Sequence, residues 1–210
     1  MSGKKIYLIG CGPGSRAYLT PMAMDLVSKA GVVIGPKKFT DLFDSIPGRI
    51  IPARNRPSLI LEDIERYFRE KDIAILVSGD PGCFSLSRLV VDRFGLQYCR
   101  IIPGISSVQL ALARLGLEWT KARVFSLHGR GTAQAAAKII ESELCVVLLG
   151  DDLTWMAPVL EQIRDNRKIR LMQNLGLQGE KISIIRSALD LEQNISSSSL
   201  LVINKKPDQS

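Results

Sequence analysis

Short apolar runs alternate with longer amphipathic segments along the first half of this chain. Residues 6–9 have no polar partner face, so they predict a strand that is buried on both sides, as in a parallel sheet. Thr20 and Pro21 predict a helix N-cap and a first-turn proline, and Gly31 predicts the end of that helix. The predicted strands of this half are residues 6–9, 32–34, 72–77 and 98–102, and the predicted helices are 22–30, 58–71, 84–94 and 108–115.

The second half alternates in the same way and then changes its pattern. The predicted strands are residues 123–127, 145–149 and 169–173, with helices at 133–142 and 154–165. Residues 182–185 and 200–204 look like strands with one covered face, which predicts a mixed sheet. Residues 36–47 are interpreted as a polar excursion, which ends at an apolar pair, Ile50 and Ile51.

Three predicted strands of the first half end in loops of small residues. Gly10 to Gly14 follow the first strand, Ser78-Gly79-Asp80 follow the third, and Pro103 to Ser107 follow the fourth. The carboxyl ends of parallel strands lie along one edge of a sheet, where open α/β sheets bind ligands. These loops are therefore expected to form one pocket.

The first loop by itself does not identify the ligand that it would bind. A P-loop would need Gly-Lys-Ser or Gly-Lys-Thr, whereas Ser15 and Arg16 follow Gly14 here. A dinucleotide site would need a helix directly after the glycines and an acidic residue about 20 positions later. A structural turn is about as good an interpretation as a ligand cradle.

Composition narrows the function further. The chain has 210 residues, a formal net charge of +7 and a pI near 9.4, which favours an anionic partner. The basic residues are scattered with few aromatics, so a nucleic-acid surface is poorly signalled. With one histidine and no CxxC spacing, a protein-built metal site is not expected, and the cysteines are expected to be reduced thiols. No membrane span or secretion signal is visible, so a cytoplasmic location is the default expectation.

Taken together, the loops resemble those of a known family. The segments are GCGPGSRAYLTPMA, LVSGDPGCFSLSR, IIPGISSVQLALARLG, FSLHGR and QNLG. In this order and at these separations they are similar to the tetrapyrrole (corrin/porphyrin) methyltransferases that use S-adenosylmethionine. Within the family, FSLHGR and PGISSVQLA favour the branch that methylates C5 of cobalt-precorrin-7 (precorrin-6Y).

The resemblance implies a two-domain α/β fold, with a parallel-sheet domain at residues 1–103 and a mixed-sheet domain at 104–210. It also implies a homodimer and a cofactor site between the domains. The residues that match the family's cofactor-binding positions are Gly12, Pro13, Ser78, Gly79, Asp80, Cys83, Ser106, Ser107, Leu149, Leu175 and Gly176. The chain departs from commoner members by Cys11, by serine at position 78 and by leucine at position 149.

Three further residues are candidates for the substrate side of the site. His128 is the sole histidine and follows a predicted strand, so it could bind the substrate or move a proton on it; the alternative is a hydrogen-bonded turn histidine. Arg16 and Arg130 are candidates to pair with substrate carboxylates, or are solvated surface charges. Asp80 either serves the site or caps the following helix.

Two other functions remain open at the level of sequence. A methyltransferase of the same fold could act on another tetrapyrrole carbon or on a protein residue, because the diphthine-forming enzymes look similar. A basic nucleic-acid-binding protein with a non-catalytic α/β core is the alternative from a different class.

Overall fold

The structure is a computed structural model that describes residues 3–127, 133–150, 155–187, 190–191 and 199–206. The chain divides into two compact units, Met1–Ser107 and Val108–Ser210; the family resemblance implied a boundary after residue 103. Each unit contains one five-stranded sheet flanked by helices. The predicted fold class, a parallel-sheet domain followed by a mixed-sheet α/β domain, is confirmed.

The sheet of the first unit is entirely parallel. Its strands are β1 (Ile6–Gly10), β2 (Val32–Gly35), β3 (Arg49–Pro52), β4 (Ile73–Val77) and β5 (Cys99–Ile102). They lie in the order β3-β2-β4-β1-β5, with Leu8 opposite both Ile75 and Ile101. The three strands that carry the small-residue loops are therefore adjacent in the sheet.

Helices cover both faces of this sheet, which explains why its inner strands are apolar throughout. The helices are α1 (Pro21–Lys29), α2 (Lys37–Thr40), α3 (Pro57–Phe68) and α4 (Ser87–Phe94). One cluster packs Leu8 and Ile75 against α3 and α4, and another packs Ile9 and Leu76 against α1 and α2. As predicted, Thr20 caps α1, with its hydroxyl oxygen accepting from the Ala23 amide at 3.1 Å.

The second unit contains a mixed sheet. Its elements are α5 (Ser107–Arg114, which begins at the unit boundary), β6 (Arg123–Ser126), α6 (Ala133–Glu141), β7 (Leu144–Leu148), α7 (Met156–Ile163), β8 (Arg167–Gln173), β9 (Lys181–Ile184) and β10 (Ser199–Lys205). The strand order is β6-β7-β10-β8-β9; β6 and β7 are parallel, and β10 runs antiparallel to both β7 and β8. The core packs α6 and α7 on one face through Ile139, Met156 and Leu160.

Three local expectations are wrong, each for a physical reason. The predicted polar excursion at 36–47 contains α2, and its Phe39 is buried against the sheet. The apolar pair Ile50 and Ile51 belongs to β3, an edge strand with mostly exposed positions. Residues 200–204 do not have one covered face, because β10 lies at the centre of its sheet and Leu200 to Ile203 are all buried.

Within the described part of the chain, no helix is long and apolar enough to cross a membrane.

Candidate functional site

The loops after β1 and β4 are joined by a pair of main-chain hydrogen bonds. The Gly79 amide donates to the Gly12 carbonyl at 2.8 Å, and the Gly12 amide donates to the Gly79 carbonyl at 3.2 Å. Both glycines have positive φ, +61° at Gly12 and +63° at Gly79, a region that side-chain-bearing residues rarely adopt. The bridge therefore strongly favours glycine at both positions.

The loop after β5 approaches the other two more closely than a side chain would allow. A Cβ at Gly104 would lie 2.4 Å from the Gly79 carbonyl oxygen and 2.8 Å from Gly10 Cα. A Cβ at Gly10 would lie 2.6 Å from the Gly104 nitrogen. The three main chains meet with no room for a methyl group, so the three strand ends form one compact surface. That these loops line one ligand pocket stays a prediction.

Asp80 fastens two of these loops together. Its Oδ1 accepts from the Gly82 amide at 2.7 Å, and its Oδ2 accepts from the Gly104 amide at 3.0 Å. Helix α4 begins only at Ser87, with Leu86 at the cap position, so Asp80 does not cap that helix. Charge-assisted acceptance of main-chain amides is among the stronger hydrogen bonds in proteins, and here it holds the β5 loop against the β4 loop.

The remaining predicted positions of the first unit surround this junction. Ser78 is exposed, Pro13 and Ser107 are half-buried, and Ser106 is buried. A Cβ built on Gly79 would meet Ser106 Cα at 3.6 Å, an ordinary contact distance. Gly79 and Ser106 thus face each other, as expected for two residues that line one site.

Cys83 lies beside Asp80, and its amide donates to the Asp80 carbonyl at 3.0 Å. Burial and, secondarily, the Asp80 carboxylate raise the pKa of the Cys83 thiol, so the neutral thiol dominates at physiological pH. The next residue, Phe84, has φ of +48° and a side chain that is 64% exposed. Backbone strain of this kind is concentrated at functional sites.

In the second unit, the predicted positions follow the carboxyl ends of β7 and β8. Leu149 is buried in the core of its unit, and Leu175 is buried as well, so their side chains face inward. Gly176 has φ of +73°. A cofactor contact from this unit would therefore come from main-chain groups of the two segments.

Sequence reasoning missed the residues that hold the second-unit turn. Glu180 accepts from the Gly176 amide at 2.8 Å and pairs with Arg114 at 2.7 Å. The hydrogen bond from Arg114, followed by that from Gly176, lowers the pKa of Glu180. The two side chains are 66 positions apart, and only the fold brings them together.

Arg16 lies in a short 3₁₀ helix, Arg16–Tyr18, just after the first loop, and its guanidinium pairs with the Asp44 carboxylate. Both side chains are largely exposed, so the ion pair is weak and another carboxylate can replace Asp44 at Arg16. His128 and Arg130 lie outside the described residues. Among the described residues, no cluster of three or more histidine, cysteine, aspartate or glutamate side chains could hold a metal ion.

Comparison of the sequence with known proteins shows which family the chain resembles. Residues 5–190 match the sequence profile of the Tetrapyrrole (Corrin/Porphyrin) Methylases. A probable cobalt-precorrin-7 C(5)-methyltransferase of Methanocaldococcus jannaschii is 34% identical over 186 residues, covering 85% of this chain and 88% of that protein. A cobalt-precorrin-7 C(5)-methyltransferase of Salmonella typhimurium is 32% identical over 59% of this chain and 61% of its own length.

Solved structures share the fold. A precorrin-6Y methylase of Archaeoglobus fulgidus superposes with a TM-score of 0.76 at 24% identity, covering 97% of this chain and 100% of that one. A uroporphyrin-III C-methyltransferase of Thermus thermophilus, solved with S-adenosylhomocysteine, superposes with a TM-score of 0.76 at 20% identity, covering 95% and 97% of the two chains.

Replacing Asp80 by asparagine tests the junction of the loops. The amide keeps one acceptor oxygen and turns an N–H group toward a main-chain N–H, so we expect the free energy of unfolding to fall by about 1–3 kcal/mol. Urea denaturation followed by circular dichroism measures the change.

The matched control is Asp92→Asn, which removes the same charge from an exposed position of α4, where Asp92 lies 3.7 Å from Arg88. Exposed pairs contribute little, so a change within about 0.5 kcal/mol is expected there. Equal losses in the two variants would contradict the role assigned to Asp80.

Proposed function

Because the chain belongs to the tetrapyrrole (corrin/porphyrin) methylases, we propose that it transfers a methyl group from S-adenosylmethionine to C5 of cobalt-precorrin-7 (precorrin-6Y) in cobalamin biosynthesis. The observation that carries this choice of substrate is the similarity to the C(5)-methyltransferase of Methanocaldococcus jannaschii over most of both chains. The chain is a methyltransferase, and the carbon it methylates is the part that needs testing.

The first unit offers groups that suit S-adenosylmethionine. This cofactor carries an amino-acid end, a ribose diol and an adenine but no phosphate, so it needs hydrogen-bonding groups and not a lysine-rich loop. Gly12 and Gly79 bring main chain close to the site without side chains, Pro13 adds a carbonyl and a rigid ring, and Ser78, Ser106 and Ser107 add hydroxyls. Each Asp80 oxygen accepts one amide, which leaves further acceptor capacity on both.

Second-unit residues complete the proposed cofactor set. Leu149, Leu175 and Gly176 would contribute through their main chain, because the two leucine side chains are buried. The ion pair of Arg114 and Glu180 keeps the Gly176 turn in one conformation. Their part is positioning, since neither acts on the reacting atoms.

Methyl transfer to the ring carbon does not need a nucleophilic side chain of the protein. When bound, the cofactor supplies an electrophilic methyl group on a sulfonium centre. What the protein contributes is a fixed orientation and the exclusion of water, and the tightly joined glycine loops provide rigid main chain for that purpose. The raised pKa of Cys83 keeps its thiol neutral beside Asp80, so Cys83 acts as a contact and not as a competing methyl acceptor.

The proposed methyl acceptor is a ring that bears several carboxylates, so cationic side chains are expected where the substrate binds. Arg16 and Arg130 are proposed to pair with these groups, with a substrate carboxylate replacing Asp44 at Arg16. His128 is proposed to bind the ring or to move a proton on it. A homodimer and a cytoplasmic location belong to the same proposal, and light scattering of the purified protein measures the first of them.

The direct test is methyl transfer from isotopically labelled S-adenosylmethionine to a panel of corrin intermediates. We expect label in cobalt-precorrin-7, assigned to C5 by NMR. Label at another ring carbon would keep the methyltransferase and overturn the C5 assignment. Label in a co-incubated protein extract, with every tetrapyrrole unmodified, would favour the diphthine-like alternative.

Replacing Gly79 by valine tests the cofactor pocket. The new side chain would point toward Ser106 and occupy the proposed ligand space. We expect the affinity for S-adenosylmethionine, measured by calorimetry, to fall by at least about tenfold, the equivalent of about 1.4 kcal/mol, while the protein stays folded.

Gly116→Val is the matched control, since Gly116 has φ of +64° and a Cβ there would have open space around it. Both variants carry similar backbone strain, but only the one at Gly79 should lose cofactor affinity. Unchanged affinity in Gly79→Val would remove Gly79 and Ser106 from the pocket.

Replacing His128 by alanine separates substrate chemistry from cofactor binding. We expect turnover with cobalt-precorrin-7 to fall while calorimetric affinity for S-adenosylmethionine stays near that of the parent protein. A pH–rate profile that loses an inflection near pH 6–7, about the ordinary histidine pKa, would support proton transfer. Intact turnover and an unchanged profile would make His128 a structural residue.

A further inference from the structure

A strongly basic cavity lies in the second unit, apart from every residue assigned above. Its volume is about 560 Å³, within the usual range for small-molecule sites. It is lined by six cationic side chains, Arg164, Arg167, Lys168, Arg170, Arg186 and Lys206, and by a single carboxylate, Asp165. The exposed side chain of Ile184 supplies apolar surface, whereas the side chains of Ile169 and Ile185, which also border the cavity, are buried in the core of the unit.

Nearby carboxylates balance this charge only in part. Arg164 pairs with Glu161 at 2.8 Å and lies 4.0 Å from Asp165. Asp190 and Glu143 interact electrostatically with Arg186 and Arg167, so four acidic groups stand near six cations. Arg170 donates to the Asn204 side-chain oxygen at 2.7 Å, and the Lys206 ammonium donates to the Asp165 carbonyl at 2.6 Å. Both interactions orient a cation without cancelling its charge.

Arg167 adds an incomplete set of hydrogen bonds. Its Nη2 donates to the Ile140 carbonyl at 3.0 Å, whereas its Nη1 is buried and has no partner among the described residues. A buried donor without a partner is costly and calls for an explanation, such as a missing anion.

The strand register places cation and apolar surface side by side. Lys168 and Arg170 are two positions apart on β8 and share one face of the sheet. Arg170 lies directly opposite Ile184 of β9, whose side chain is 67% exposed. A ligand at this face would meet charge and hydrophobic surface together.

The cavity lies at the end of the sheet opposite to the proposed cofactor contacts. It surrounds the amino end of β8, while Leu175 and Gly176 follow the carboxyl end. Seven residues at ~3.3 Å each separate the two ends by roughly 20 Å. A ligand in the cavity would therefore not be the one held at the Gly176 turn.

We propose that this cavity binds a compact organic polyanion, one with several carboxylates or phosphates on a partly apolar body. Arginine forks recognise both anions in the same bidentate way, and the exposed Ile184 side chain accepts the apolar part. The described lining includes no aromatic side chain of the kind on which single-stranded nucleic acids stack, which disfavours that macromolecule.

Two probes distinguish the sources of such an anion: inorganic tripolyphosphate, followed by calorimetry, and the octacarboxylate uroporphyrin, followed by fluorescence. We expect at least one to bind the full chain, and Lys168→Glu and Arg186→Glu each to weaken it by about tenfold or more. Binding of tripolyphosphate alone indicates a phosphate ligand, and binding of uroporphyrin alone indicates a polycarboxylate.

The matched control is Arg66→Glu, which makes the same change of charge at an exposed position of α3. Equal effects at Arg66 and Lys168, or no binding of either probe, would overturn the proposal. So would Lys168-dependent binding of an oligonucleotide without binding of either small anion. Unfolding curves confirm that the variants fold, and the outcome does not depend on methyl transfer.

Discussion

The first unit depends on one steric constraint, the contact of three main chains at the carboxyl edge of its sheet. A Cβ at Gly10 or Gly104 would overlap backbone atoms of the neighbouring loops, including the Gly79 carbonyl oxygen in both cases. Close main-chain packing of this kind is rigid, because no rotamer can adjust to relieve it. Asp80 adds a directional bond between two of the loops. The exposed amides, carbonyls and hydroxyls of the site are therefore held by the geometry of the sheet itself.

Much of this arrangement could be predicted from local pattern. Continuous apolar runs identified the inner strands, and the Thr20-Pro21 and Gly31 signals bounded α1. The edge strand β3 was missed as a strand because only Ile50 and Ile51 of its four residues are aliphatic and because most of it is exposed. Phe39 was missed because a single buried aromatic in a polar segment has no periodicity to reveal it.

For the site, too, local features could be predicted from the sequence, whereas contacts between distant residues could not. Loops of small residues after successive strands predicted which segments meet, since parallel strands deliver their ends to one edge. The role of Asp80 could not be predicted, because its partner Gly104 is 24 positions away and neither residue type specifies the bond. The pairing of Arg114 with Glu180 could not be predicted for the same reason. The basic cavity could not be predicted either, because its cationic residues come from the ends of several elements.

The central place of β10 has a consequence for how the protein is made. The first sheet is complete once Ile102 has emerged, so its unit can fold while the ribosome is still adding the remainder. In the second unit, the described strands β7 and β8 both pair with Ser199–Lys205, which lies between them in the sheet order. That sheet is complete only after Ser199–Lys205 have emerged, and β7 and β8 stay unconnected until then.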